Sequence, residues 1–309
     1  MKSWFRGIGS VAGIGATMVA LTVLAAEKSG KPEARAPKDA KAKKVVISNG
    51  GSDTMVNLAQ MWAEAYRQVS ADVSVEVSGG GSGVGIRDLM QGMTQIANCS
   101  REIEGTERDL IRKKTGKDAF ETVVGYDAIA IYVHKDNPAE SISMEQLAAI
   151  FSAEGTVERW SQIGVSVPGQ YDRIIRVSRQ NSSGTYLYFR DRVLRKKDFK
   201  LGSCDMSGSK DVVELVARTR GAIGYSGMGY ATTHVKMLRI RPAKSTEDIA
   251  PTVENVQNRK YPLARALYMY TLDKPEGHLG SYIEWILTPA GQQVVRMAGY
   301  VPVAGVSHP

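Results

Sequence analysis

The run VVGYDAIAIYVH, from Val123 to His134, is too long for one ordinary strand of a small sheet, where about five or six residues is usual. A run of this length can serve as a strand that passes from one lobe to another. On both sides of it the chain alternates strand and helix. Upstream, Val45-Val46-Ile47 is a short apolar strand ending at Gly50-Gly51. Leu58, Met61, Trp62, Ala65, Tyr66 and Val69 then repeat at helical spacing. Val73 to Val77 alternates as a strand, Val84 to Met90 suits a short helix, and Gln95 to Ala97 another strand. Downstream, helices are expected at Met144–Phe151, Thr185–Leu194, Val212–Ala217, Gly280–Leu287 and Pro289–Met297, the last with proline suited to a first helical turn. Strands are expected at Ile174–Val177, Gly221–Tyr225, Val235–Ile240 and Leu263–Thr271. This alternation implies an α/β fold with largely parallel or mixed sheets.

A chain of 309 residues with 43% hydrophobic side chains is long enough for two lobes with separate cores, or for one large domain. Its formal charge of +8 invites a nucleic-acid reading until the charge is located. Nine basic residues (Lys2, Arg6, Lys28, Lys31, Arg35, Lys38, Lys41, Lys43, Lys44) and three acidic ones (Glu27, Glu33, Asp39) precede the first strand. That segment holds +6 of the total, leaving a body at +2, so no nucleic-acid partner is expected. Residues 1–26 have a secretory layout: Lys2 and Arg6, then an apolar run from Ile8 to Leu24, then small residues placed for cleavage after Ala25. The competing reading is a membrane anchor, since the run approaches the lower limit for spanning. Residues 27–43 are Lys/Ala/Pro-rich and read as a disordered basic leader. Cys99 and Cys204 fit either one bridge or two free thiols.

Three segments share one pattern of strand, Gly/Ser/Thr turn and helix start: Gly51-Ser52-Asp53-Thr54-Met55, Gly79-Gly80-Gly81-Ser82-Gly83, and Ser182-Ser183-Gly184-Thr185. Each would set free backbone N–H groups and a hydroxyl at the positive end of a helix dipole, an arrangement that binds anions. One such segment alone is usually an N-cap. Three in one chain, with Arg179 just before the third, favour an oxyanion site. Enzymatic motifs fail on inspection. The glycines satisfy no G-x-G-x-x-G register. Gly80 and Gly85 have phosphate-loop spacing, but Ile86-Arg87 stand where Lys-Ser/Thr is needed. Gly224-Tyr225-Ser226-Gly227-Met228 resembles a nucleophile elbow with methionine in place of the last glycine. His134, His234, His278 and His308 have no metal-ligand spacing. No catalytic residue, metal or cofactor is therefore expected.

These segments also carry a resemblance. Gly51-Ser52-x-Thr54, Gly79-Gly80-Gly81-Ser82-Gly83, Cys99-Ser100-Arg101 and Ser178-Arg179-x-x-Ser182-Ser183-Gly184-Thr185 occur in the order seen in phosphate-binding proteins of the bacterial high-affinity phosphate ABC transporter. Gly125-Tyr126-Asp127, Gly221-Ala222-Ile223-Gly224-Tyr225, Tyr261-Pro262-Leu263-x-Arg265, Thr288-Pro289-x-Gly291-Gln292 and Gly299-Tyr300-Val301-Pro302 extend the likeness over Val45–Val303, which resembles the shorter branch of that family. The resemblance implies a periplasmic-binding fold of the second type: two α/β lobes, each a mixed sheet flanked by helices, joined by crossing strands. The expected lobes are 44–128 with 240–309, and 129–239. It further implies a monomeric periplasmic carrier without catalysis, delivering inorganic phosphate to an ABC permease in the inner membrane. Carried over by position, the ligand set is Thr54, Met55, Ser82, Ser100, Arg179, Ser183, Gly184 and Thr185, with Ser182 and Arg101 as neighbours. Better-known family members have a buried aspartate where this chain has Ser100. A carboxylate accepts the proton of hydrogen phosphate and repels a fully ionised oxyanion, whereas serine accepts without repelling. Discrimination against sulfate thus depends on whether Asp53 or Asp127 turns inward. The alternatives are the same fold with sulfate, molybdate or tungstate, and a membrane-tethered phosphate sensor; a hydrolase using Ser183 or Ser226 lacks a base or metal set.

Overall fold

The computed structural model describes residues 44–303; the expected signal segment and basic leader lie outside the described residues. The strands are β1 Val45–Gly51, β2 Val73–Ser78, β3 Ile96–Cys99, β4 Ala119–His134, β5 Ser141–Ser143, β6 Ile175–Arg179, β7 Cys204–Met206, β8 Ala222–Gly227, β9 Val235–Arg241 and β10 Ala264–Leu272. They form a mixed α/β sheet in the order β2-β1-β3-β10-β4-β8-β6-β7, with β9 beside β4 and β5 beside β9. The parallel set β2-β1-β3 and the parallel set β8-β6-β7 stand at opposite ends, and the antiparallel strands β10 and β4 lie between them.

β4 makes that junction. Up to Ala128 it pairs with β10; from Ile129 onward it pairs with β8, and from Ile131 with β9 as well. Successive side chains of a strand point to opposite faces. Here Ala130 and Tyr132 enter one hydrophobic cluster, while Ile129, Ile131 and Val133 enter another. Both faces of the strand are covered, which is why its sequence is continuously apolar instead of alternating. The chain between β9 and β10 stays with the second cluster: Ile249 bridges to Ile240, and Val256, Tyr261 and Leu263 pack beside Ile129 and Ile131.

The first helix, Val56–Tyr66, buries Leu58, Ala59, Trp62, Ala63 and Tyr66, as the spacing requires. It stops before Val69, which is exposed, because the amides of Gln68 and Val69 turn back onto carbonyls three residues earlier. Trp62 anchors the helix by donating from its indole to Gly291 O at 2.8 Å. The last helix, Pro289–Met297, starts with proline at its first turn under a Thr288 cap. Cys99 and Cys204 are both free thiols, so neither constrains the fold covalently.

Candidate functional site

Each of the three turns follows the C-terminal end of a strand in its parallel set: β1 leads into the first, β2 into the second, β6 into the third. Sheet geometry therefore directs all three, together with Ser100 after β3, to one place. Two glycines allow the close approach. Gly81 has φ +104°, and a side-chain carbon there would lie 2.5 Å from Ser182 O. A carbon on Gly184 would lie 2.4 Å from Ser82 Oγ and 2.8 Å from Ser100 Oγ.

The hydroxyls meet directly. Thr54 Oγ1 and Thr185 Oγ1 are 2.8 Å apart and both buried. Ser52 Oγ donates to Ser100 Oγ at 2.9 Å, and the Ser100 amide donates to Ser82 Oγ at 3.1 Å. Beneath the first turn, Tyr230 and Tyr300 hydroxyls donate at 2.6 Å to Asp53 O and Thr54 O, fixing the turn from its core side. Ser183 caps the helix Gly184–Arg192 by accepting from the amides of Thr185 and Tyr186. Met55 sits in the core, and its amide donates to Ser52 O at 3.0 Å. By contrast, among the described residues the amides of Thr54, Ser82 and Gly184 donate to no protein acceptor. The last two occupy first-turn helix positions, where no intrahelical acceptor exists.

Arg179 is buried beside these hydroxyls. Its Nη1 donates to Ser209 Oγ (2.8 Å), its Nη2 to Asp53 Oδ2 (3.0 Å) and Ser207 O (2.8 Å), and its Nε to Met206 O (3.3 Å). Of the five guanidinium hydrogens, one on Nη1 is left over. Burial lowers the Arg179 pKa, and the Asp53 carboxylate opposes that effect. Ser209 Oγ lies 3.5 Å from Thr54 Oγ1, so the guanidinium reaches the threonine pair through one hydroxyl.

A second arginine stands on the other side, and the sequence reading gave it no role. Arg265 donates from Nη2 to Thr185 Oγ1 (2.9 Å), Thr54 Oγ1 (3.3 Å) and Asp127 Oδ2 (2.8 Å), from Nε to Asp127 Oδ2 (3.1 Å), and from Nη1 to Ser100 O (3.0 Å). Asp127 is wholly buried; burial pushes its carboxyl pKa up, and Arg265 opposes the shift. Its other oxygen accepts from the Met228 amide at 3.2 Å. An aspartate inside an apolar strand run needs a buried cation or several donors, and that signal in β4 pointed to a partner such as Arg265. Asp53 and Asp127 do turn inward, yet each is engaged by an arginine, and Asp53 Oδ1 accepts from Gly80 N. Arg101 is committed elsewhere: both its terminal nitrogens bind Glu107, at 2.8 and 2.7 Å. Ser182 donates to Gly80 O at 3.1 Å, tying the third turn to the second.

Hydroxyls, unpaired amides and two guanidinium groups gathered in one buried spot are suited to an oxyanion. Comparison with known proteins agrees. Residues 32–290 match the PBP superfamily domain. The phosphate-binding protein PstS of Pseudomonas aeruginosa is 33% identical over 267 residues, spanning 83% of this chain and 83% of that protein. The chain belongs to the PstS family. Protein SphX of Synechococcus elongatus is 31% identical over 275 residues, 86% of this chain and 80% of its own length. Among solved structures, a substrate-binding protein assigned to a phosphate ABC transporter of Clostridium perfringens, with bound phosphate, superposes with a TM-score of 0.74 at 28% identity. That match covers 84% of this chain and 99% of the other.

Proposed function

We propose that this PstS-family chain captures inorganic phosphate in a cleft between two lobes and delivers it, chemically unchanged, to an ABC permease. The observation that carries this reading is the meeting of Thr54 and Thr185 hydroxyls, flanked by Arg179 and Arg265 and by the free amides of Thr54, Ser82 and Gly184. The proposed ligand contacts are Thr54, Ser82, Ser100, Arg179, Gly184 and Thr185; Met55 and Ser183, expected among them from the sequence, stand behind, Met55 packing under the turn with its amide spent on Ser52 O and Ser183 capping its helix. No side chain at the site is arranged as a base beside a nucleophile. The chain acts as a monomer in the periplasm, exported by residues 1–26.

One lobe comprises 44–128 and 264–303, the other 129–263. The return crossing is drawn at Leu263/Ala264 instead of at residue 240, because Ile249, Val256, Tyr261 and Leu263 pack with the second half of β4. With these boundaries, Thr54 to Thr185, Asp53 to Arg179 and Gly83 to Ser182 are contacts between lobes. A ligand that touches both sides favours the closed arrangement by its differential affinity for it. Ser100 offers a hydroxyl, and both nearby aspartates are paired, so repulsion of a fully ionised anion is weak in this site. Titration calorimetry with phosphate, sulfate and molybdate in parallel tests the reading: phosphate should bind in the micromolar range or tighter. Absence of heat and of competition with all three would refute it.

A further inference from the structure

Arg265 is directly opposite Asp127 in the ladder between β4 and β10, the two strands that cross between the halves of the sheet. A buried ion pair at this register could simply hold two strands together. Three observations give it more to do. First, the pair does not close on itself: Nη2 of Arg265 extends past the carboxylate to Thr54 Oγ1 and Thr185 Oγ1, and Nη1 to Ser100 O. All three belong to the proposed ligand set. Second, the bond to Thr185 crosses from β10 to the helix Gly184–Arg192, and a second link runs beside it. Tyr188 on that helix donates its hydroxyl to Ala264 O at 2.5 Å, and its ring lies 5.8 Å from the Arg265 guanidinium carbon. Third, Arg265 forms part of the wall of a groove of about 830 Å³, together with Arg101, Tyr188, Arg192 and Tyr268. It therefore stands between the groove and the threonine pair.

Four of the five guanidinium hydrogens of Arg265 are committed. Nε is taken by Asp127, one Nη1 hydrogen by Ser100 O, and the two on Nη2 are divided among Asp127 and the two threonine hydroxyls. One Nη1 hydrogen remains. Asp127 takes two bonds from the fork on a single oxygen while Met228 N occupies the other, so the guanidinium plane is fixed in azimuth. Arg179 likewise keeps one Nη1 hydrogen, but it is held differently: one bond to Asp53 and the rest to Met206 O, Ser207 O and Ser209 Oγ.

Resting on the phosphate-capture reading, we propose that Arg265 is a second anion-contacting guanidinium and, through Thr185 and Tyr188, the latch that links capture to lobe closure, with Asp127 as its positioning residue. Each lobe then sends one arginine across the cleft, Arg179 from β6 and Arg265 from β10. Lysine cannot reproduce the latch, because a single ammonium cannot meet Asp127, Ser100 O and Thr185 in one plane.

The test uses the full chain and inorganic phosphate. Wild type, Arg265→Lys and the double variant Asp127→Asn with Arg265→Gln are compared by calorimetry, thermal melting and small-angle X-ray scattering with and without phosphate. The double variant removes both charges together and so avoids an orphaned buried ion. The expected result is at least tenfold weaker binding for Arg265→Lys and at least thirtyfold for the double variant, with less compaction on phosphate addition. Side-chain ¹⁵N resonances of the wild-type arginines supply a readout independent of the variants' folding: the Arg265 Nε–H signal should shift on phosphate binding. Variants within threefold of a phosphate-binding wild type, or an unmoved Arg265 signal, would refute the latch alone. A wild type indifferent to phosphate would refute the capture reading, and the latch with it.

Discussion

Gly184→Ala is the smallest perturbation that tests whether the turns must touch. The backbone there is the first turn of a helix, where alanine is at least as favourable as glycine, so the local fold has no objection to the change. The obstacle is across the cleft. The added carbon would lie 2.4 Å from Ser82 Oγ, 3.1 Å from Ser82 Cβ and 2.8 Å from Ser100 Oγ. Rotating Ser82 relieves only the first contact, at the expense of the bond from Ser100 N. Ordinary contact begins near 3.4 Å, so the helix start must retreat by about 1 Å from the 2.4 Å position. That displacement stretches Thr54–Thr185 from 2.8 Å beyond hydrogen-bond range and carries the Gly184 amide away with it. Donors to a charged acceptor contribute about 1.5–3 kcal/mol each. Losing two removes at least about 3 kcal/mol, or roughly a hundredfold in phosphate affinity. The empty protein can absorb the methyl by standing slightly more open, so its melting temperature should move little while the phosphate-induced rise in melting temperature shrinks. Calorimetry and paired melts check both. Phosphate affinity within threefold of wild type, at unchanged stability, would mean that Gly184, Ser82 and Ser100 do not close on a common ligand.

Arg179→Ala should weaken phosphate binding by well over tenfold, and it should also lower the melting temperature, because Asp53 and Ser209 each lose a partner in a mostly buried setting; calorimetry and melting on the same sample read both. Glu158, held between Arg176 at 3.0 Å and Lys200 at 2.6 Å, has its pKa lowered from 4.5 to about 2, chiefly by its bonds to Lys200 and Arg176. An acid depressed in the fold stabilises it above its unfolded pKa and loses that contribution as pH falls, here between about 4.5 and 2. Glu158→Gln should therefore flatten the acid limb of the stability curve in that window; since the carboxylate is largely solvent-screened, the effect is modest, and acid melts of the two proteins side by side measure it.

Much of the fold was legible because its strands and helices obey strong local rules. Val73–Ser78 follows directly from alternation, and the helix Pro289–Met297 from a capped proline start. Elements that escaped the sequence reading lack such a signal. The helix Gly105–Thr115 carries one buried residue, Ile111, and so has almost no apolar stripe; its capping box between Glu104 and Glu107 was the available cue. β5 and β7 are three residues each and exist only because β9 and β6 offer them an edge. At the site, the turns announced themselves through glycine and hydroxyl residues and Asp127 through a charge inside an apolar run, whereas Arg265, the second residue of β10, looks like any exposed charge near a strand end. Their pairing depends on the register of β4 against β10, which no local pattern encodes.

That register also places site residues where the two halves of the sheet meet. β4 carries Asp127 just before Ala128, the last residue paired with β10, and hands over to β8 at Ile129. On the lobe boundaries proposed above, a rotation of one half of the sheet against the other would turn about this short stretch. In such a rotation a donor on Arg265 would move less than one on an outer turn, and would stay beside Ser100 O while the helix Gly184–Arg192 swings toward it. The outer turns supply most of the hydroxyls and the pivot supplies a fixed charge. An anion that docks on Arg265 and the Thr54 turn, both in the same proposed lobe, would meet Thr185, Gly184 and Arg179 only on closure. Weakening the late group should therefore raise the dissociation rate more than it lowers the association rate, and weakening Arg265 should affect both.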